Sequence, residues 1–189
     1  MGNRMKRQWD LPLSREEAAG VAIAVGTMLG RERLHLLYDL AKAAPDGPAA
    51  EVGIWWGGSL INWSFAREGR GPMYGVDLVV KPEARTAVEY LMRPVELIQC
   101  NSWDGVYQVE KPLAFVFIDA GHGLGEVDRD LPAWVPHVMP GGIIAFDDYN
   151  YWKPTVIVNK VVDAWQVGAK WEMVSPGVVD SLIAFRRPV

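Results

Sequence analysis

Acidic and imidazole side chains that could bind a cation or move a proton occur at the ends of two apolar runs. Asp119 and His122 lie at the end of one run, and the adjacent Asp147 and Asp148 directly follow another. Carboxylate oxygens without a nearby cysteine or paired histidine are typical ligands of a hard ion, Mg²⁺ first and Ca²⁺ or Mn²⁺ next. We therefore predict a divalent-metal site formed by Asp119, Asp147 and Asp148.

The adjacent positions of Asp147 and Asp148 set a geometric condition on this site. Neighbouring residues of a strand point to opposite faces, so the two carboxylates can share an ion only if the strand has ended or bulged there. The alternative is that one caps the following turn and the other is solvated. His122, with an ordinary pKa of about 6.5, is suited to proton abstraction at neutral pH, or else bonds to the backbone of its loop.

A glycine-rich turn follows the first apolar run. Glu51 precedes Gly53, Gly57, Gly58 and Ser59 in the spacing G-x-x-x-G-G. This spacing differs from the G-x-G-x-x-G that holds a dinucleotide pyrophosphate, although glycine still lets the chain turn tightly and a ligand approach the backbone. An acid before the turn would repel phosphate and suits a cationic amino acid. Because of this negative charge, the turn favours S-adenosylmethionine, which carries an ammonium and a sulfonium, over NAD, which carries phosphates.

Asp77 ends the second predicted strand and is a further candidate for binding this cofactor. An acid at such a position can accept hydrogen bonds from both ribose hydroxyls, a role shared by NAD and S-adenosylmethionine folds. The alternative is that Asp77 only caps the next turn.

Apolar runs alternate with helical segments from residue 49 onward, as in a succession of β-α units. The predicted strands are Ala49–Ile54, Met73–Leu78, Val95–Cys100, Leu113–Ala120, Gly141–Phe146, Trp171–Val174 and Ser181–Arg186. The predicted helices between them are Ser59–Arg67, Pro82–Met92, Gly125–Val138 and Thr155–Val167. No helix separates the last two strands, so they must pair antiparallel. The pattern predicts a Rossmann-like, doubly wound α/β sheet of about seven strands with an antiparallel strand at its C-terminal end, which binds ligands beyond the carboxyl ends of its strands.

The first 45 residues have a helical pattern. Ser14 and Glu17 match a capping box, and helical spacing from Leu34 to Ala41 ends at Pro45. We therefore predict a helical extension over residues 1–45, followed by the ligand-binding domain over 46–189. The extension would pack against another subunit in a homo-oligomer or close over the site.

Composition and charge limit the classes of partner that the protein is expected to bind. The 189-residue chain has a net charge of −4 and no dense Lys/Arg cluster after its first seven residues, which argues against nucleic acid and anionic membranes. No apolar run approaches the ~20 residues that span a bilayer. The single cysteine, Cys100, excludes an intrachain disulfide and fits a reducing cytosol, so a cytoplasmic location is expected.

Several segments of the chain are similar to a known enzyme family. Residues 51–59 match the first motif of class I methyltransferases in the E-x-G-x-[aromatic]-x-G-x-S form of catechol O-methyltransferases. Four further segments resemble methyltransferase family 24, namely Phe117–His122, Glu126–Leu131, Met139–Gly142 and Ile144–Tyr149. Macrocin-type sugar O-methyltransferases and proteins labelled cephalosporin hydroxylases are related members. The resemblance covers roughly residues 49–186.

This resemblance implies roles for individual residues. Ser102 and Trp103 would lie against the adenine of S-adenosylmethionine, and Trp55 along its methionine end. The positions of the three aspartates would hold a divalent metal that binds two neighbouring substrate hydroxyls. His122 replaces the lysine base of catechol-type enzymes, a departure that fits the family 24 pattern.

The expected function is a metal-assisted O-methyltransferase for a small hydroxylated metabolite, such as a catechol-like phenol or a sugar. Tyr149, Tyr151 and Trp152 would either form a wall of the acceptor site or pack internally. Three alternatives remain: a metal-independent methyltransferase, an NAD-binding oxidoreductase that lacks the usual fingerprint, and a non-catalytic binding or scaffold relative.

Overall fold

One mixed sheet forms the centre of the protein in a computed structural model that describes residues 13–123, 125–153, 155–174 and 176–189. Its strands within these ranges are β1 (Ala49–Val52), β2 (Met73–Asp77), β3 (Val95–Gln99), β4 (Leu113–Ile118), β5 (Val138–Phe146), β6 (Glu172–Met173) and β7 (Ile183–Arg186). Their order is β3-β2-β1-β4-β5-β7-β6. The first five are parallel, and β7 is antiparallel to both β5 and β6. The predicted α/β sheet and its antiparallel C-terminal pair are confirmed.

Helices cover both faces of this sheet. Within the described ranges they are α1 (Arg15–Val25), α2 (Arg31–Ala43), α3 (Gly58–Ala66), α4 (Pro82–Tyr90), α5 (Ser102–Gly105), α6 (Val127–Trp134) and α7 (Val158–Ala169). The first four share one apolar core with the sheet, while apolar residues from α6, α7 and the segment just after α5 contribute to the other. The result is a three-layer α/β/α arrangement.

Strand β4 runs through the middle of the sheet and contributes to both cores. Its six residues are all buried. Phe115 and Phe117 pack into the α1–α4 core, whereas Val116 and Ile118 pack into the opposite one. This alternation follows from the two-residue period of a strand, and it explains why a strand covered on both faces reads as one continuous apolar run.

The sequence-based prediction differs from the structure between residues 125 and 141. A helix over Gly125–Val138 was expected, but α6 ends at Trp134, a short 3₁₀ turn follows over Val135–His137, and β5 begins at Val138. Pro136 lies in the first turn of that 3₁₀ segment. Because proline has no N–H and crowds the preceding turn, it favours an end to the α-helix here.

The two N-terminal helices pack against α3 and share its core. Ser14 caps α1 as predicted: its backbone N–H donates to Glu17 Oε2 at 2.9 Å, and the Glu17 N–H donates to Ser14 Oγ at 3.3 Å. Leu34 and Leu37 of α2 are fully buried. The short loop between α1 and α2 lies close to the carboxyl ends of the parallel strands, in the neighbourhood of Gly53 and Asp77. None of the described helices has the length and apolarity to cross a membrane.

Candidate active site

A cleft of about 630 Å³ opens at the carboxyl ends of the parallel strands. The predicted site residues that line it are Gly53, Trp55, Ser59, Asp77, Ser102, Trp103, Asp119, His122, Asp147 and Asp148. Its other walls include the α1–α2 loop from Gly26 to Leu29, Arg33 of α2, and Tyr151. Glu51, Gly57 and Gly58, which were also predicted, do not line the cleft. The topology thus brings most of the predicted residues to one site.

The glycine turn places backbone where a side chain would not fit. Gly53 has a φ of +88°, and a Cβ added there would lie 2.1 Å from the carbonyl oxygen of Asp119. A Cβ on Gly58 would lie 2.3 Å from the carbonyl oxygen of Gly26. Gly53 therefore permits the close approach of β1 and β4 beneath the cleft, whereas Gly58 permits the α1–α2 loop to pack on the start of α3.

Glu51 lies behind this turn and holds it from inside the protein. Its side chain is fully buried, and its two oxygens accept hydrogen bonds of 2.5 Å from Ser59 Oγ and Trp63 Nε1. Burial raises the pKa of Glu51 to about 8, against the lowering effect of these two hydrogen bonds. Glu51 is therefore mostly neutral at pH 7, and its position assigns it to supporting the turn.

Asp77 connects the glycine turn to the end of β2. Its Oδ2 accepts hydrogen bonds from the backbone N–H groups of Ile54 (2.9 Å) and Trp55 (3.0 Å), and its Oδ1 accepts one from Val79 (3.0 Å). The capping role considered for Asp77 is present in the structure, and the carboxylate also lines the cleft. Trp55 has a φ of +48°, and Lys81 Nζ lies 3.1 Å from the centroid of its half-exposed indole.

Ser102 and Trp103 begin α5, a single helical turn that the sequence did not predict. The buried indole of Trp134 donates from Nε1 to the carbonyl oxygen of Ser102 at 3.0 Å. The guanidinium of Arg129 lies 4.9 Å from the centroid of the Trp103 ring. Both contacts come from α6, so this helix fixes the part of the cleft proposed to bind adenine.

The end of β5 satisfies the geometric condition on the two adjacent aspartates. The strand ends at Phe146, and Asp148 has a left-handed φ of +58°. Both Asp147 and Asp148 consequently line the cleft. Desolvation and the nearby Asp147 raise the pKa of Asp148, while desolvation, Asp147, Glu51 and Asp148 in that order raise the pKa of Asp119 well above its usual range.

Each of these two adjacent aspartates contacts a nitrogen-bearing side chain. Asp147 is buried, and its Oδ2 accepts a hydrogen bond of 2.7 Å from Arg33 Nη1, while its Oδ1 accepts one of 2.7 Å from Ser181 Oγ. Asp148 Oδ2 lies 3.1 Å from His122 Nδ1. Arg33 was not among the predicted site residues, because nothing in the pattern of α2 sets this arginine apart from other solvated charges.

Whether these residues fit the predicted metal depends on the contacts of Asp147 with Arg33 and of Asp148 with His122. The three carboxylates are the right kind of donor for a hard ion. As placed, however, Asp147 is held by Arg33 and Asp148 by His122, and no three histidine, cysteine or acidic side chains in the described ranges are arranged to hold one ion. The residues therefore do not fit a three-carboxylate metal site in this arrangement.

The fold and the cleft have the Rossmann-like arrangement of a class I methyltransferase domain. A family model described as a methyltransferase domain (Methyltransf_24) matches residues 50–149, and the chain belongs to this family. No curated protein matches the sequence.

Solved structures similar to the chain have the same fold. The methyltransferase MycE of mycinamycin biosynthesis is 21% identical with a TM-score of 0.60, and the match covers 92% of this chain but only 54% of MycE. An O-methyltransferase from Bacillus cereus is 17% identical with a TM-score of 0.69, covering 97% of this chain and 93% of that one. A protein from Clostridium thermocellum described as a putative rRNA methylase is 16% identical with a TM-score of 0.68, covering 82% and 96%. At these identities the structures establish the fold, and they leave the acceptor open.

Proposed function

We propose that the chain transfers a methyl group from S-adenosylmethionine to a hydroxyl oxygen of a small molecule, such as a phenol or a sugar. One observation carries this proposal: the His122–Asp148 pair lies in the same cleft as the glycine turn of Gly53. A proton acceptor and a candidate cofactor turn thus face one cavity, which is the arrangement that O-methylation requires.

The cofactor side of the cleft fits a nucleoside with an amino-acid tail. S-adenosylmethionine would supply a methyl group activated on a sulfonium. Gly53 lines the cleft, and we assign ribose binding to Asp77, the adenine to Ser102 and Trp103, and the methionine end to Trp55. MycE and the Bacillus cereus enzyme are both described in complex with S-adenosylhomocysteine.

His122 is the proposed general base. Its Nδ1 faces Asp148, so the neutral imidazole would carry its proton on Nδ1 and leave Nε2 able to accept one. S-adenosylmethionine would supply the methyl group to the acceptor oxygen, and Nε2 would take the proton of the acceptor hydroxyl. Asp148 then stabilises the imidazolium that forms. We place Asp119 beside the reacting oxygen, where its charge state affects this proton transfer.

A small acceptor is favoured by the walls of the cleft. Tyr151 lines the cleft and is stacked on Trp152, which does not line it, with ring centroids 6.1 Å apart, and Lys153 Nζ lies 5.8 Å from each ring. Exposed stacked rings suit a planar or cyclic acceptor. Four aspartates in the cleft and the net charge of −4 disfavour a polyanion such as RNA.

Metal assistance, which the sequence predicts, is not part of this proposal. MycE is described in complex with Mg as well as S-adenosylhomocysteine. Because Arg33 and His122 hold Asp147 and Asp148 here, no step is derived through an ion.

The test is methyl transfer from radiolabelled S-adenosylmethionine to a panel of catechols, monophenols and glycosides. With whichever acceptor is methylated, His122→Gln should lower kcat by about 10²–10⁴-fold, because a positioned general base contributes that factor. Affinity for S-adenosylhomocysteine should stay within about threefold. A His122→Gln enzyme with unchanged kcat would remove His122 from the mechanism.

A further inference from the structure

One guanidinium joins three separate segments at the wall of the cleft. Arg33 Nη1 donates to Asp147 Oδ2 (2.7 Å) and to Ser181 Oγ (2.9 Å), and Nη2 donates to the carbonyl oxygen of Met28 (3.0 Å). Arg33 Nε also lies 3.2 Å from Asp180 Oδ2. The segments are the α1–α2 loop, the end of β5, and the turn before β7. Arg33 itself lies in the first turn of α2.

The Arg33–Asp147 pair is shielded from water on both sides. The Asp147 side chain is 5% exposed and the Arg33 side chain 15%. A buried carboxylate needs a cation or several hydrogen-bond donors, since burial penalises its charged form. Arg33 supplies a cation, and Arg33 and Ser181 together supply a hydrogen-bond donor to each oxygen of the Asp147 carboxylate. Asp147 is therefore fully accommodated by residues of this chain.

We propose that Arg33 is the fixed cation of this site and takes the position at Asp147 that a divalent ion would occupy. A guanidinium stays charged at every physiological pH and offers forked donors to a carboxylate. An ion bound to Asp147 would compete with Nη1 for the carboxylate and lie next to a permanent positive charge. The chain thus supplies the Asp147 carboxylate with a cationic partner without a metal, and Arg33 positions both this carboxylate and the Met28 loop. The inference rests on the proposed function only in treating the cleft as the site of methyl transfer.

Titration with Mn²⁺, followed by the electron paramagnetic resonance signal of the free ion, tests this assignment on the full chain. Wild type should bind no stoichiometric Mn²⁺ up to ~1 mM, weaker than the usual range of intracellular sites. Arg33→Met and Arg33→Gln, which remove the charge in an apolar and a polar side chain, should bind Mn²⁺ at least about tenfold more tightly. Arg33→Lys, which keeps the charge, should resemble wild type, and Asp147→Asn in the Arg33→Met background should abolish the new site.

Two results would overturn the assignment. One is a stoichiometric Mn²⁺ site in wild type that Asp147→Asn removes. The other is folded Arg33→Met and Arg33→Gln chains that still bind no Mn²⁺, because the arginine would then not be what excludes the ion. If neither charge-removing variant folds, the comparison of wild type with Asp147→Asn decides alone. Binding of S-adenosylhomocysteine is measured on the same samples, and its absence would count against the proposed function without touching the Mn²⁺ result.

Discussion

His122 and Asp148 meet across the loops that follow two neighbouring strands, with Nδ1 and Oδ2 3.1 Å apart. The parallel register of β4 and β5, which pairs Ile118 with Phe146, brings these loops together. The positive φ of Asp148 helps set its direction after the strand, and a hydrogen bond from Ile157 N–H to the His122 carbonyl oxygen (3.1 Å) holds the other loop. Backbone topology thus positions this pair, although neither residue belongs to a regular element.

Asp148→Asn should weaken His122 as a base while keeping a hydrogen bond to its Nδ1. The asparagine oxygen still accepts from Nδ1, but the charge that stabilises the imidazolium is lost, so kcat should fall by about 10–10²-fold. Steady-state kinetics with the acceptor found in the panel measures this. Asp128→Asn, the same change at an exposed position of α6, is the matched control and should leave kcat unchanged. Equal effects from both variants would contradict the assigned role.

Gly53→Ala should abolish cofactor binding. The added Cβ would lie 2.1 Å from the Asp119 carbonyl oxygen at a φ of +88°, so the turn must shift. Gly69 offers a control, since its φ is +72° and nothing lies within 4 Å of a Cβ there. Gly69→Ala should cost about 1 kcal/mol of unfolding free energy through backbone strain alone. Gly53→Ala should cost more and abolish detectable S-adenosylhomocysteine binding. If both variants lose a similar free energy of unfolding and still bind S-adenosylhomocysteine, the close approach of Gly53 to the Asp119 backbone is unimportant for the cofactor site.

Glu51 should give the free energy of unfolding a distinct pH dependence. Its pKa is about 8 in the folded protein and 4.5 in a model peptide, so the folded state holds one more proton between these values. The free energy of unfolding therefore falls as pH rises from about 4.5 to about 8, and levels off above that window. Glu51→Gln keeps an acceptor for Trp63 and a donor for Ser59 but cannot ionise.

Urea unfolding of wild type and Glu51→Gln from pH 5 to pH 9 measures this effect. The variant should gain stability relative to wild type as pH rises, by a few kcal/mol at the upper end. A constant difference between the two proteins across this range would mean that Glu51 is already ionised when buried.

Trp134→Phe should loosen the turn that begins at Ser102. Trp134 is fully buried, and its Nε1 donates to the Ser102 carbonyl oxygen. Loss of this hydrogen bond and of ring volume should lower the unfolding free energy by about 1–3 kcal/mol and weaken S-adenosylhomocysteine binding. Adenosine binding, measured in parallel, should weaken by a similar factor if α5 contacts the adenine. Reduced stability with unchanged nucleoside binding would place the adenine elsewhere.

Much of the fold follows from local patterns in the sequence. The run that forms β4 is apolar throughout because both of its faces are covered, and Asp119 marks the point where it leaves the core. The strand order then brings Asp119, Asp147 and Asp148 to one edge, as predicted for the carboxyl ends of parallel strands.

The parts that were not predicted depend on partners distant in the chain. Helical spacing from Leu34 to Ala41 predicted a helix, but it gave no indication that Arg33 meets Asp147, which is far away in sequence. The positive φ of Asp148 likewise has no signal in a non-glycine residue. The one-turn helix α5 is too short to show a period, and its position depends on the Trp134 indole.

Calorimetric titration with S-adenosylhomocysteine tests the central claim most directly. We expect one site per chain with micromolar affinity, unchanged by a chelator and lost in Gly53→Ala but kept in Gly69→Ala. Absence of binding by the folded wild-type chain would contradict the assignment of this cleft to S-adenosylmethionine.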